Sequence, residues 1–311
     1  MGLGLALSIA MRANHTKHNR ILVALNLAEG RDPVFERALS LAKTSGAELY
    51  LLHAVPPNQR FSFRSAERLQ RWAELRARAE AAGVTVQTVE QRGDPAEIIV
   101  LHADAREVDL IVMAAERRTG WPRFRQRSVA EWVLRRTKRP TLVVRSDDTG
   151  KGSIFENVLV AVDLSPASTA LIDTAVQLSG GDRRQLTVLH AAHGLEATGS
   201  VRSRARWMVP EYRGYVLDAA RRQLADVVPR HVSSVPLHLR VAAGPAAEAI
   251  GAYAAEIDAD LIVMGRSKRF MHLGSTAVRI LGNTDRALLI VPPAALTQSI
   301  DDEGVVHKRA A

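Results

Sequence analysis

Apolar positions along the chain form short continuous runs that alternate with longer stretches of helical spacing. Ile21–Asn26, ILVALN, is a short apolar run and predicts a buried strand. Asp32-Pro33 then predicts a helix start, with aspartate as the cap and proline in the first helical position. Val34, Ala38, Leu41 and Ala42 form its apolar face, and Gly46 ends it. Glu48–Val55 predicts a second strand closed by Pro56-Pro57. Ser65–Ala82 predicts a long helix with Leu69, Trp72, Leu75 and Ala79 at helical spacing, followed by Gly83. Val84–Glu90 alternates as a third strand, Gly93-Asp94-Pro95 opens a helix to Ala105, and Asp109–Ala114 is a fourth strand. After a basic loop, Ser128–Thr137 predicts a helix and Thr141–Val144 a fifth strand. Strands that alternate with helices predict a parallel sheet covered on both faces, joined by right-handed crossovers.

A polar, glycine-bearing segment, Ser146–Gly152, follows, and then the same order begins again. Asn157–Asp163 matches Arg20–Asn26, and Leu189-His190-Ala191 matches Leu52-His53-Ala54, both at an offset of 137. Asp260-Leu261-Ile262-Val263-Met264 repeats Asp109-Leu110-Ile111-Val112-Met113 residue for residue at an offset of 151. By the last strand the offset is 147, so the second copy is four residues shorter between its fourth strand and the following helix. The chain therefore reads as a tandem duplication. Residues 20–146 and 153–293 are the two domains and 147–152 the linker. Residues 1–19 form an extension expected to be disordered, and 294–311 a loose C-terminal tail.

The stretch Asp260–Val291 carries the candidate chemistry. A glycine, Gly265, stands where a strand ends, and Gly274-Ser275-Thr276 stands where a helix begins. Glycine lets a phosphate approach the backbone, hydroxyls donate hydrogen bonds, and the free N–H groups of a first helical turn point at the anion. Each residue also has a structural reading. Asp163 can cap the following segment, Gly274-Ser275-Thr276 can be a plain helix start, and Gly265 can serve a turn of positive φ.

Composition narrows the classes. The 311 residues include no cysteine, which excludes disulfides, thiolate metal sites and cysteine nucleophiles. The net charge of +9 favours anionic partners. Its sharpest concentration is Arg117–Arg127 with Arg135, Arg136, Lys138 and Arg139. Trp121 and Phe124 lie among these arginines, but no nucleic-acid-binding motif accompanies them, so nucleic acid is disfavoured. Met1–Met11 is apolar but lacks the basic start and the length of a secretory signal, and Met11 is a second candidate start. No apolar run is long enough for a transmembrane segment. His53 and His190 occupy equivalent strand positions, which favours a shared hydrogen-bonding role over a metal site, and His190-x-x-His193 has no acidic partner nearby. No nucleophile elbow, HExxH or Walker lysine motif is present.

Taken together and twice over, three features resemble the universal stress protein family in its tandem form: VLVAVDLSPAS with Asp163, the turns Gly93–Ile98 and Gly244–Ile250, and DLIVMG leading to GSTA at Asp260–Gly265 and Gly274–Ala277. The resemblance implies two Rossmann-like (adenine nucleotide alpha hydrolase-like) α/β domains. Each is a five-stranded parallel sheet with helices on both faces, and the two pack as an intramolecular pseudo-dimer with the last strands side by side. It implies ATP or another adenine nucleotide as ligand, held by the second domain through Val162, Asp163, Met264, Gly265, Lys268, Gly274, Ser275 and Thr276. Lys268 departs from the family pattern, standing where a second glycine is expected, with only five residues before Gly274. Arg266, Lys268 and Arg269 are the side chains that could replace backbone cradling there. The first domain departs further, with Asn26, Ala114 and Arg127-Ser128 at the matching positions, and is expected not to bind. The function implied is that of a cytoplasmic, regulatory stress-response protein with a protein partner and without a dedicated enzymatic role beyond slow ATP hydrolysis. The alternative is an interaction module with both grooves degenerate. Further pairing into a homo-oligomer is left open.

Overall fold

The computed structural model describes residues 20–27, 32–57, 65–115, 128–145, 155–179, 184–192, 210–229, 232, 236–266 and 273–296. The expected extension 1–19, the linker 147–152, the arginine-rich loop 117–127, His193, Lys268, Arg269 and the tail from 297 onward lie outside the described residues.

The first repeat runs β1 Arg20–Ala24, α1 Pro33–Ser45, β2 Glu48–Val55, α2 Ser65–Ala81, β3 Val86–Arg92, α3 Pro95–Ala105, β4 Leu110–Ala115, α4 Val129–Arg136 and β5 Thr141–Arg145. The second runs β6 Asn157–Val162, α5 Ala167–Leu178, β7 Gln185–Ala192, α6 Pro210–Asp226, β8 Leu237–Ala243, α7 Ala246–Glu256, β9 Leu261–Gly265, α8 Ser275–Asn283 and β10 Ala287–Val291. Local chemistry explains several boundaries. Asp32 accepts from the N–H groups of Val34 and Phe35, Pro33 occupies the first turn, and Gly46 closes α1 with φ +70°. The third strand begins two residues later than its alternation predicts, at Val86. Val84 is still buried, because it packs into the core as the chain leaves α2. Leu69 lies on the helical stripe of α2 but is 69% exposed, since the apolar stripe extends one turn beyond the part of α2 that the core covers.

All ten strands form one sheet in the order β3-β2-β1-β4-β5-β10-β9-β6-β7-β8. Pairing is parallel within each repeat and antiparallel at one seam, β5 with β10. The expected side-by-side last strands are thus observed, with Leu142 opposite Leu289 and Thr141 opposite Ile290. Both strands are buried along their whole length, as strands covered on both faces should be, and in β5 this includes the polar ends Thr141 and Arg145. Alternate strand residues feed two cores, one on each face. One packs under α1, α2, α5 and α6, the other under α3, α4, α7 and α8.

Further contacts tie the repeats together. Arg37 of α1 is 6% exposed and places its guanidinium 4.4 Å from the ring centre of Phe155, just before β6. Arg266 donates to the Leu134 carbonyl in the last turn of α4 at 2.7 Å, and Arg145 donates to the Leu281 carbonyl in the last turn of α8 at 3.4 Å. Leu134 and Leu281 are equivalent positions of the repeat. A cation at the open carbonyls of a helix end is favourable in both places.

Candidate functional site

A cleft of about 650 Å³ opens at the carboxyl ends of β6, β7 and β9, where an open α/β sheet places its ligands. Val162, Asp163, Met264, Gly265, Gly274 and Thr276 line it, so the structure brings together six of the eight residues expected from sequence. Ser275 sits at the start of α8 but does not line the cleft, and Lys268 lies outside the described residues.

The two glycines are informative because the fold does not need them. Gly265 does not have positive φ, which removes the reading of it as a left-handed turn residue. A Cβ built there would lie 3.8 Å from Leu296 and 3.9 Å from Leu171, ordinary contact distances. Gly274 has φ −56°, and a Cβ there would meet nothing within 4 Å. The first repeat carries Ala114 at the place of Gly265 without distortion of its strand.

Asp163 ends β6 and performs the structural role considered for it. Its Oδ1 accepts from the Ser165 N–H at 3.1 Å and the Ser168 hydroxyl at 3.5 Å. Its Oδ2 has no hydrogen bond from a described residue, and the side chain is exposed at the cleft. Leu164, next in sequence, has φ +60°, a costly conformation for a bulky residue, held where the chain turns from β6 into α5.

Helix capping separates the repeats. In the first, α1, α3 and α4 each begin on a side-chain cap: Asp32, Asp94 and Ser128, the last accepting from the Glu131 N–H. In the second, α5, α7 and α8 begin at Pro166, Pro245 and Gly274 with no side-chain cap. Ala167, Ala246 and Thr276, from the first turns of these helices, all line the cleft. Three helix starts without side-chain caps thus bring the positive ends of three helix dipoles to the cleft, beside the Asp163 carboxylate, with only one acidic first-turn residue among them, Glu248.

Sequence reasoning missed several lining residues. Leu189, His190 and Ala191 enter from β7, Leu171 from α5 and Ile250 from α7. His190 donates from Nδ1 to the Val162 carbonyl at 3.0 Å, and His53 does the same to Leu25 at 2.9 Å, the shared role that the repeat suggested. Residues 293–296 form a helical turn, and Leu296, assigned to a loose tail, is 4% exposed against the cleft floor. Its burial follows from the apolar contact it finds beside Gly265 and Leu171. Arg266, considered as a phosphate ligand, lines the cleft but directs one guanidinium nitrogen to Leu134 of the first repeat. Burial lowers its pKa from the ordinary value. In the arginine cluster, Arg135 pairs with Glu131 and Arg136 stacks on Trp132, so these two cations are engaged within α4. Among the described residues no helix is long and apolar enough to cross a membrane.

The comparisons agree with this architecture. The model of the universal stress protein family matches residues 17–145 and again 155–292. A universal stress protein of Methanocaldococcus jannaschii is 27% identical over 151 residues, which cover 45% of this chain and 89% of that protein. A universal stress protein from Archaeoglobus fulgidus superposes with a TM-score of 0.64 at 20% identity, covering 89% of this chain and 99% of that one. A putative universal stress protein from Pseudomonas aeruginosa does so with a TM-score of 0.64 at 19% identity, covering 93% and 98%. With the family pattern present twice and both copies folded alike, the chain belongs to the universal stress protein family as a tandem, two-domain member.

Proposed function

We propose that the second domain binds an adenine nucleotide, ATP foremost, and that the protein acts as a regulator through partner contacts that respond to this ligand. The observation that carries the reading is the contrast in helix starts. The first repeat satisfies its helix N–H groups with its own side chains, whereas the second leaves three helix starts uncapped around one cleft. Phosphates supply what those groups lack. In this reading the Asp163 carboxylate, exposed at the cleft, accepts from the nucleoside, and the two dispensable glycines leave room for backbone approach. The reading is one of binding rather than catalysis: the hydroxyl and carboxylate that meet in the cleft, Ser168 and Asp163, are engaged in the turn from β6 into α5.

Isothermal titration with ATP tests this reading. Saturable heat with the intact chain, lost in Gly274→Val, is expected. Absence of heat up to millimolar ATP, with circular dichroism showing a folded chain, overturns it.

The second reading, an interaction module that binds no nucleotide, is favoured by one feature. Leu296 already lies beside Gly265, in the space above the strand end. Under that reading Asp163→Ala and Gly274→Val leave function intact.

A further inference from the structure

A second, smaller cavity of about 270 Å³ lies at the opposite, amino ends of β6, β7 and β8, beneath the C-terminal half of α7. Its origin is visible in the repeat. Tyr50 of β2 pairs in register with Leu22 and Gln87, and Thr187 of β7 pairs in register with the equivalent residues Leu159 and His238. In the first repeat the Tyr50 ring fills this place. It stacks on His102 at 5.9 Å and lies under the Arg106 guanidinium at 4.5 Å. In the second, Thr187, Tyr253 and Ile257 stand at those three positions, and the volume of the tyrosine ring is left as a cavity.

The lining of this cavity is chemically unfinished. Thr187 is 4% exposed, and its hydroxyl has no hydrogen-bond partner among the described residues. Arg240 donates from Nε to the Tyr253 hydroxyl at 2.9 Å and from Nη1 to the Leu239 carbonyl at 3.2 Å, and meets no carboxylate among the described residues. The Tyr253 oxygen accepts from Arg240, which leaves its own proton to donate inward. Glu256 lines the same cavity and has neither an ion pair nor a hydrogen bond among the described residues. A guanidinium and a carboxylate therefore share one small cavity without neutralising each other.

We propose that this cavity is a second ligand site, separate from the nucleotide cleft, and that it takes a small zwitterion of the free α-amino acid class. The ligand carboxylate accepts from Arg240, Tyr253 and Thr187, and its ammonium donates to Glu256. A planar guanidinium suits a carboxylate, and a hydroxyl of the cavity lining that has no protein partner among the described residues gains one on binding. The site does not depend on the nucleotide reading, since β7 contributes different residues to the two ends of the sheet.

The test is titration calorimetry of the full chain with each of the standard amino acids at millimolar concentration, with propionate and propylamine as probes of one charge each. At least one amino acid is expected to bind saturably, while propionate and propylamine bind at least tenfold more weakly. Thr187→Tyr, which restores the filling found in the first repeat, should abolish binding. Glu256→Gln, an exposed change that leaves the core untouched, should weaken it at least tenfold. The proposal is overturned if no amino acid binds the natural chain, or if the amino acid that binds does so equally well in Glu256→Gln.

Discussion

A valine at Gly274 separates the demands of a ligand from those of the fold. Nothing lies within 4 Å of the new Cβ, and the backbone has φ −56°, which any residue adopts. The free protein should lose no more than about 1 kcal/mol, the cost of a poor N-cap residue. ATP affinity should fall at least about tenfold, or about 1.4 kcal/mol, because the side chain then stands where phosphate meets the helix start. Parallel urea unfolding and ATP titration check both halves of this statement. A second residue-scale prediction concerns Asp260. Burial raises its pKa above the ordinary aspartate value and outweighs the Glu156 and Asn157 N–H groups and the charge of Arg37, each of which lowers it. Its Oδ1 is buried without a hydrogen bond from any described residue. The folded protein therefore holds this proton at higher pH than the unfolded chain does. The stability contributed is present at low pH and is lost as pH rises through the raised pKa. Relative to Asp260→Asn, the natural chain should gain stability as pH falls from neutrality into the carboxylate range. Urea midpoints measured across that range for both proteins check the sign, and equal slopes would refute it.

At the scale of elements, the two copies of one helix make a matched experiment. Ser128 caps α4 through the Glu131 N–H, whereas Ser275, its counterpart, lies inside α8 and makes no hydrogen bond that caps the helix. Ser128→Ala should cost about 1 kcal/mol, and Ser275→Ala less than about 0.5 kcal/mol. Equal losses in chemical denaturation would remove the capping contrast on which the functional reading rests. This contrast also marks the limit of what the sequence discloses. Asp32, Gly46, Asp94 and Ser128 are legible because cap chemistry acts within a few residues, and β2 and β10 begin and end where their apolar runs do. The place of the cleft follows from the repeat together with the strand-end glycine. The uncapped state of α5 is not legible, because an aspartate and two serines precede or open that helix and only geometry shows that Asp163 spends one oxygen on Ser165 and Ser168. Arg266 and Leu296 are beyond reach for the same reason: one finds its partner 132 residues away, and the other is buried by the shape of a cleft that local periodicity does not describe.

At the scale of the whole molecule, the seam behaves as a two-fold interface written into one chain. Leu142 and Leu289 are equivalent positions of the repeat, and they face each other across the antiparallel β5–β10 pair. The Arg266–Leu134 and Arg145–Leu281 contacts flank it on equivalent helix ends, although the two arginines come from non-equivalent strand ends. The symmetry is thus a property of the surface rather than of the individual residues, as expected where duplication has replaced an isologous dimer. A separated second domain, residues 155–296, would expose β10 as an edge of five consecutive buried apolar residues, ALLIV. Such an edge is a template for pairing. With Leu289 at the centre of the register, the strand is complementary to itself. It should pair with β10 of a second copy, Leu289 opposite Leu289, in place of the lost β5. The separated domain is therefore expected to be a homodimer by light scattering on a sizing column at micromolar concentration, while the full chain keeps this edge occupied. A folded, monodisperse monomer would show that the seam depends on Phe155–Arg37 and the arginine contacts rather than on the self-complementary strand.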